Sequence, residues 1–162
     1  VVVVEVTNLN QMGISPAEYH RRLQKVRKIT VLRELVNEEI IKEETNLKQL
    51  KRQDFEEGDI YGNGKTYTYR SPNYANFKQN INPLAGGKVD LILTGAFVDS
   101  MYLLKPKTGR YLFGATDNKR SKLVEAYSIN IMGLNQNVFE KFQKDIIYPR
   151  FMRKLKSYAK IQ

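Results

Sequence analysis

The residue types that perform most enzyme chemistry are scarce in this chain of 162 residues. It contains no cysteine and one histidine, His20. The cysteine count excludes thiolate zinc sites, disulfide scaffolds and cysteine nucleophiles, and a single histidine excludes motifs that bind a metal through two imidazoles. No serine nucleophile stands at a recognisable spacing from His20, which favours a surface or partly packed role for it. We therefore expect no cofactor and no metal.

Carboxylates and one glycine-containing segment are the remaining candidates for chemistry. Acid–base catalysis without histidine or cysteine requires paired carboxylates. The candidates in the β-rich half stand among basic residues without a close grouping: Asp90, Asp99, Asp117 and Glu125. Gly64-Lys65-Thr66 lacks the earlier glycine of a phosphate-binding loop. A calcium loop that began at Asp59 would place Arg70 where a glutamate must bind the ion. A carboxylate-dependent enzyme is thus a minor alternative, and we expect a turn here.

Basic residues indicate a negatively charged partner. The chain has 27 Lys and Arg against 17 Asp and Glu, a formal net charge of +10. Residues 1–81 hold 13 basic and 11 acidic residues, whereas residues 82–162 hold 14 and 6. The candidate face for DNA or an acidic protein consists of Lys141, Lys144, Arg150, Arg153, Lys154 and Lys156. A solvated face of a terminal helix is an equally good interpretation.

Tyrosines are concentrated in one short segment that also contains basic residues. They are Tyr61, Tyr67, Tyr69 and Tyr74. Such a group is suited to stacking on single-stranded bases. It is also suited to contact with another protein, because tyrosine is enriched in protein interfaces. Packing within the fold is the third interpretation.

Helices are predicted at the start of the chain. Ser15 followed by Pro16 and Glu18 is typical of a helix N-terminus with a capping box. A second helical pattern runs from Val31 to about Phe55. Residues 43–44, both glutamates, interrupt its apolar stripe, so we expect the middle of this helix to be exposed or to face a partner.

The second half of the chain predicts a small sheet with short helices. Residues 66–69 are β-prone, and Ser71 is placed to cap a short helix. Residues 101–105 and 111–115 predict a hairpin. A final helix should be capped by Asn135 or Asn137, and Pro149 should kink or split it. The order of elements predicts an α+β fold: long N-terminal helices, a small, mostly antiparallel sheet with short helices, and a C-terminal helix. We expect an extended arm over residues 1–14 and a single domain over residues 15–162.

An ordered set of short motifs supplies a resemblance to a known family. The first motif comprises Tyr69, Ser71, Pro72 and Tyr74, the second comprises Leu93, Thr94, Gly95, Phe97 and Ser100, and the third comprises Gly133 and Leu134. Over roughly residues 30–157 this order resembles the tailed-phage virion-morphogenesis family, the Mu-type tail-completion and head–tail-joining proteins. The chain lacks the tryptophan that the family often has before the first motif. In the second motif we expect a capped, tight turn with its phenylalanine in the core and its serine closing the turn.

The resemblance implies a non-enzymatic structural protein of the virion, assembled in the cytoplasm of a bacterial host. It implies a ring of copies in the neck or at the end of the tail, with portal, neck or tail proteins as neighbours and no membrane. Candidate ring contacts are residues 38–50, residues 59–78 and the arm, whose Val1–Val4 could add a strand to a neighbour's sheet. A basic surface suits non-specific contact with packaged DNA. The alternative function is that of a small basic nucleic-acid-binding protein.

Overall fold

The computed structural model describes residues 15–104 and 111–159. Within these ranges the chain forms an α+β fold with a two-stranded antiparallel sheet, as predicted. The helices are α1 (Pro16–Val26), α2 (Ile29–Lys42), α3 (Glu44–Glu56), α4 (Pro72–Ile81), α5 (Ala96–Asp99), α6 (Arg120–Tyr127), α7 (Gln136–Phe142) and α8 (Tyr148–Ala159). The strands are β1 (Met101–Leu103) and β2 (Phe113–Ala115), and single turns of 3₁₀ or π helix occupy Pro83–Ala85, Ile129–Met132 and Gln143–Ile147. None of the helices in this part of the chain is long and apolar enough to cross a membrane.

The described residues group into two compact units. We call residues 15–40 and 144–159 the helical unit, and residues 41–104 and 111–143 the mixed unit. The predicted arm over residues 1–14 lies outside the described residues. The single domain over residues 15–162 stays a prediction.

The helical unit begins at the predicted N-terminus of α1. Ser15 Oγ accepts the N–H of Glu18 at 3.2 Å, and a proline occupies the first helical position. The capping box is half formed, because the Glu18 carboxylate binds the guanidinium groups of Arg21 and Arg22 instead. These hydrogen bonds lower the pKa of Glu18 to about 2. Helix α1 packs on α8, and the buried apolar side chains of the unit are Val26, Leu35, Ile40, Ile147 and Ala159.

The helix predicted from Val31 to about Phe55 is two helices, which meet at Glu43. The expectation that its polar interruption would be exposed is wrong for this residue. Glu43 is buried, and its carboxylate accepts a hydrogen bond from Asn46 Nδ2 at 2.6 Å. Glu44, half-buried, accepts the N–H of Leu103 in β1 at 3.2 Å. The interruption of the apolar stripe therefore marks a helix break with internal polar partners.

The core of the mixed unit forms around α3, α5 and the sheet. Phe55 of α3 is fully buried and stacks on Phe97 of α5, with ring centroids 6.2 Å apart. Burying a side chain of this size contributes about 1.5–3 kcal/mol. Other buried apolar side chains of this unit are Leu47, Ile60, Ala85, Val89, Val98, Met101, Leu103, Phe113, Ile131, Met132 and Phe142.

The sheet is smaller than the sequence predicts. Strands β1 and β2 pair with Tyr102 opposite Gly114, and the turn of the predicted hairpin lies outside the described residues. The β-prone residues 66–69 form no strand and contribute one isolated bridge, Thr68 to Lys88. In this register Gly87 would lie opposite Tyr69, and its φ of +77° departs from the extended backbone that continued pairing requires.

The last part of the chain has the predicted helix cap and the predicted division of the final helix. Asn135 Oδ1 accepts the N–H groups of Asn137 and Val138, and so caps α7. Pro149 has no N–H to donate to the turn before it. The backbone accordingly forms a π-helical turn over Gln143–Ile147 before α8 begins. The predicted division of this helix is confirmed.

Candidate functional site

Tyr69 of the first motif belongs to a buried polar group in the mixed unit, which we call the Asp90 cluster: Tyr69, Lys78, Asn82 and Asp90. Asp90 is fully buried, and its Oδ1 lies 2.8 Å from Lys78 Nζ and accepts the hydroxyl of Tyr69 at 3.1 Å. Its Oδ2 accepts Asn82 Nδ2 at 3.0 Å. The N–H of Ile92 also donates to Oδ1, at 3.1 Å, and Lys78 Nζ donates to the Ile92 carbonyl. Four donors thus converge on one carboxylate.

This arrangement assigns Asp90 a structural role. Both of its oxygens are occupied by protein donors, so the carboxylate has no open side on which to act as a base. Burial is the largest cause that raises the pKa of Tyr69 above its ordinary value, which keeps the hydroxyl protonated and donating. The sequence analysis did not identify Lys78 or Asn82. One feature of the sequence indicates that such partners exist: Asp90 lies in an apolar run, and a buried aspartate requires a hydrogen-bonding or charged partner.

The remaining residues of the first motif build the start of α4. Ser71 Oγ accepts the N–H of Tyr74 at 3.3 Å, and Pro72 occupies the first helical position, as predicted. The ring of Tyr74 meets that of Tyr69 edge-on, with centroids 4.8 Å apart. The motif therefore joins the helix start to the Asp90 cluster through one aromatic pair.

Large apolar side chains are exposed along α4 and the 3₁₀ turn that follows it. We call them the α4 face: Tyr74, Phe77, Ile81 and Leu84. The first three are spaced by three and four residues, so they share one side of the helix. Phe77 is 50% exposed and Leu84 is 75% exposed. Lys78 belongs to the same helix, but its amine is directed into the Asp90 cluster, so the α4 face has no charge of its own.

The second motif forms the predicted tight turn. Thr94 Oγ1 accepts the N–H of Ala96 at 3.4 Å, and Gly95 has a φ of +80°, which favours glycine. Phe97 is buried in the core. Ser100 Oγ donates to the carbonyl of Phe97 at 2.8 Å and closes the turn. Leu93, just before the turn, is exposed.

The other proposed acid–base residues have separate local roles. Asp99 forms an ion pair with Arg52 of α3, and Asp117 Oδ1 accepts the N–H of Lys119 at 2.7 Å. Glu125 is exposed on α6. In the described ranges no three His, Asp or Glu side chains form a group that could hold a metal ion. His20 is exposed and contacts Gln24, in accord with a surface role.

The six residues of the predicted basic face are divided between the two units. Lys141 lies in the mixed unit, and the other five residues lie in the helical unit. Lys154 is engaged by Glu38 and Glu39 of α2, and these hydrogen bonds raise its pKa. Arg150 is half-buried. The exposed members of the predicted face in the helical unit are Lys144, Arg153 and Lys156.

The two compact units differ in net charge in another way than the two halves of the sequence do. The described helical unit has 11 Lys and Arg against 5 Asp and Glu, whereas the described mixed unit has 12 against 11. Helix α1 and the turn after it expose further basic side chains: Arg21, Lys25, Arg27 and Lys28. Since α1 packs on α8, basic residues from both ends of the chain belong to one unit.

The third motif, Gly133 and Leu134, belongs to an open cleft in the mixed unit. Gly133 pairs with Leu112 in an isolated antiparallel bridge. Both residues of the motif line the cleft together with Tyr61 and Tyr67 of the tyrosine-rich segment. The structure therefore separates the four tyrosines into two sites, two in the cleft and two beside α4.

Comparison with known proteins found no match: no protein-family model, no curated protein and no solved structure matches this chain.

Proposed function

We propose that the protein is a non-enzymatic structural subunit of a tailed-phage virion, in the neck or at a tail-completion position. It would assemble with copies of itself and bind neighbouring portal, neck or tail proteins. The ordered motifs and their resemblance support the phage assignment. The α4 face carries the assembly part of the proposal, because contiguous exposed apolar surface is typical of interaction sites.

The partner proposed for the α4 face is a second copy of the chain. A closed ring uses two different patches of the same subunit, which meet head to tail. The mixed unit exposes a second apolar pair on another element, Tyr102 of β1 and Leu104 directly after it. Contact between the α4 face and this pair would bury neutral, apolar surface, which is favourable by about 25 cal/mol per Å².

Strand addition by the arm is a second route to self-assembly, and the structure supports it less well than contact through the α4 face. Val1–Val4 lies outside the described residues. The outward edge of β1 is already occupied, because Glu44 accepts the N–H of Leu103 and Lys48 Nζ donates to the carbonyl of Met101 at 3.2 Å. A neighbour's strand would have to displace both side chains. The α4 face requires no such displacement.

Mass measurement tests the assembly proposal. We expect the purified wild-type protein to form a discrete oligomer in native mass spectrometry and light scattering. Phe77→Ser combined with Ile81→Ser should shift it to the monomer with an unchanged circular dichroism spectrum. Ile129→Ser, which alters another exposed isoleucine of the mixed unit, is the matched control and should leave the oligomer intact.

Two results would contradict the proposal. A wild-type protein that stays monomeric at high concentration would exclude a self-assembling ring. Its absence from purified virions of a phage that encodes the chain would exclude the structural role in the particle.

Nucleic-acid binding is the second candidate, and the excess of basic residues in the helical unit favours it. Phosphate contacts release counterions, so affinity should fall as salt rises. We expect Arg153→Glu with Lys156→Glu to weaken binding of duplex DNA and to reduce its salt dependence. Lys119→Glu with Lys122→Glu, in the mixed unit, makes the same change in net charge and should have less effect. An equal loss in both variants, or none at low salt, would remove this candidate.

A further inference from the structure

The open cleft of the mixed unit has a volume of about 660 Å³ and shares no lining residue with the α4 face or the Asp90 cluster. Four aromatic rings line it: Tyr61, Tyr67, Tyr111 and Phe139. Amide, hydroxyl and aliphatic side chains and one glycine complete the lining. None of the described residues that line it is Lys, Arg, Asp, Glu or His. In a chain with 27% charged residues, this cleft is neutral.

The aromatic rings are arranged as two pairs. Tyr61 and Tyr67 meet edge-on with centroids 5.2 Å apart, and Tyr111 and Phe139 are tilted by 54° with centroids 5.4 Å apart. Tyr67 is 45% exposed, so part of its ring is open to a ligand. Tyrosine combines an apolar ring with a polar hydroxyl, which suits a ligand that has both kinds of surface.

The cleft also contains unused hydrogen-bonding groups. Within the described part of the chain, the side-chain amides of Asn130 and Gln143 and the hydroxyls of Tyr61 and Tyr67 make no hydrogen bond to another protein group. Each primary amide offers two donors and one acceptor, and each hydroxyl can do both. These groups match the hydroxyls of a ligand that also donates and accepts.

The walls of the cleft are held by local contacts. The Asp59 carboxylate accepts the N–H groups of Asn63 at 3.0 Å and Gly64 at 2.8 Å, which fixes the loop that precedes Tyr67. Gly62, with a φ of +63°, lies so close to the backbone of Asn135 that a Cβ there would be 2.6 Å away. The loop is therefore seated against the start of α7.

We propose that this cleft binds a neutral saccharide, with a sugar ring packed on the exposed tyrosine and its hydroxyls bound by the amides. The volume lies within the range of small-ligand sites. A nucleic acid or an acidic glycan would find no cation among the described lining residues. An extended peptide would require free backbone groups, and the backbone of Leu112 and Gly133 is already paired. The inference does not depend on the phage assignment.

Saturation-transfer NMR with defined probes tests this inference. We expect saturable binding of a neutral trisaccharide, either cellotriose or triacetylchitotriose, with a dissociation constant of about 1 mM. Tyr67→Ala and Gln143→Ala should each weaken binding about tenfold, which corresponds to about 1.4 kcal/mol. Tyr158→Ala removes an exposed tyrosine of α8 and should leave the affinity unchanged.

Three outcomes would overturn the inference. One is that neither of the two neutral probes binds. Another is equal binding of trigalacturonate, a charged trisaccharide. The third is binding of a Gly-Ser-Asn peptide with an acetylated N-terminus and an amidated C-terminus in place of the saccharides, which would identify the cleft as a peptide site. Thermal unfolding of each variant should match that of the wild type, which separates lost binding from lost folding.

Discussion

Lys78→Met is the substitution that tests the Asp90 cluster most directly. Methionine preserves most of the apolar length of lysine but removes the ammonium group that lies 2.8 Å from Asp90. The carboxylate would remain fully buried with three neutral donors, from Tyr69, Asn82 and the backbone of Ile92. Breaking a buried ion pair from one side costs about 3–5 kcal/mol. For a chain of this size the melting temperature should fall by roughly 6–20 °C.

Urea denaturation followed by circular dichroism gives the required free energy of unfolding. Asp90→Asn should also destabilise the protein, because it leaves the ammonium group buried without its counter-ion. The double variant Lys78→Met/Asp90→Asn should lose less than the sum of the two single changes, because no buried charge remains. Lys122→Met, on the exposed side of α6, is the control and should change stability by at most about 0.5 kcal/mol.

The reasoning is refuted if Lys78→Met changes the free energy of unfolding by less than about 1 kcal/mol, well below the cost of an unpaired buried charge. Additive effects in the double variant would also refute it, since independent residues show no coupling. Tyr69→Phe supplies an intermediate point. It removes one hydrogen bond to the carboxylate, so a loss of about 1.5–3 kcal/mol is expected.

Two further predictions concern a buried lysine and a crowded glycine. Burial lowers the pKa of Lys51 to about 8, so above that pH the unfolded chain binds more protons at this residue, and the contribution of Lys51 to stability should rise by about 3 kcal/mol between pH 8 and pH 10.5. Unfolding measured across this range in Lys51→Met should lack that rise; an unchanged slope would contradict the assignment. Gly62→Ala should cost more than the roughly 1–2 kcal/mol expected for Gly64→Ala in thermal unfolding, because, of these two glycines, only Gly62 lies against the backbone of another segment. Equal losses would show that the contact with Asn135 is unimportant.

Local sequence signals predicted the helix starts and the tight turn. Ser15, Ser71 and Asn135 cap helices by hydrogen bonds to N–H groups two or three residues ahead, which depend on little else in the fold. The turn at Gly95 is similar, because its left-handed φ is a property of one residue. Features that depend on neighbours within a few residues were therefore accessible from the sequence.

Features that depend on distant neighbours were not. Glu43, at the break between α2 and α3, is buried, and the adjacent Glu44 accepts the N–H of Leu103 in β1, which lies 59 residues ahead in the chain. The Asp90 cluster joins three segments through side chains that have no periodic pattern. Lys154, a residue of the predicted basic face, donates hydrogen bonds to Glu38 and Glu39, which lie more than a hundred residues earlier in the chain. In each case a charged residue has a partner that only the tertiary fold supplies.

The two candidate functions use surfaces that differ in charge, and salt should separate them. The α4 face is neutral, so self-assembly through it should persist or strengthen as salt rises. Contacts of Arg153 and Lys156 with phosphates should weaken by orders of magnitude between roughly 50 and 200 mM salt if several phosphates are bound. Oligomeric mass and DNA affinity measured in the same salt series should therefore diverge. An oligomer that dissociates over the range in which DNA is released would show that assembly is electrostatic, and the α4 face would then be excluded as the subunit contact.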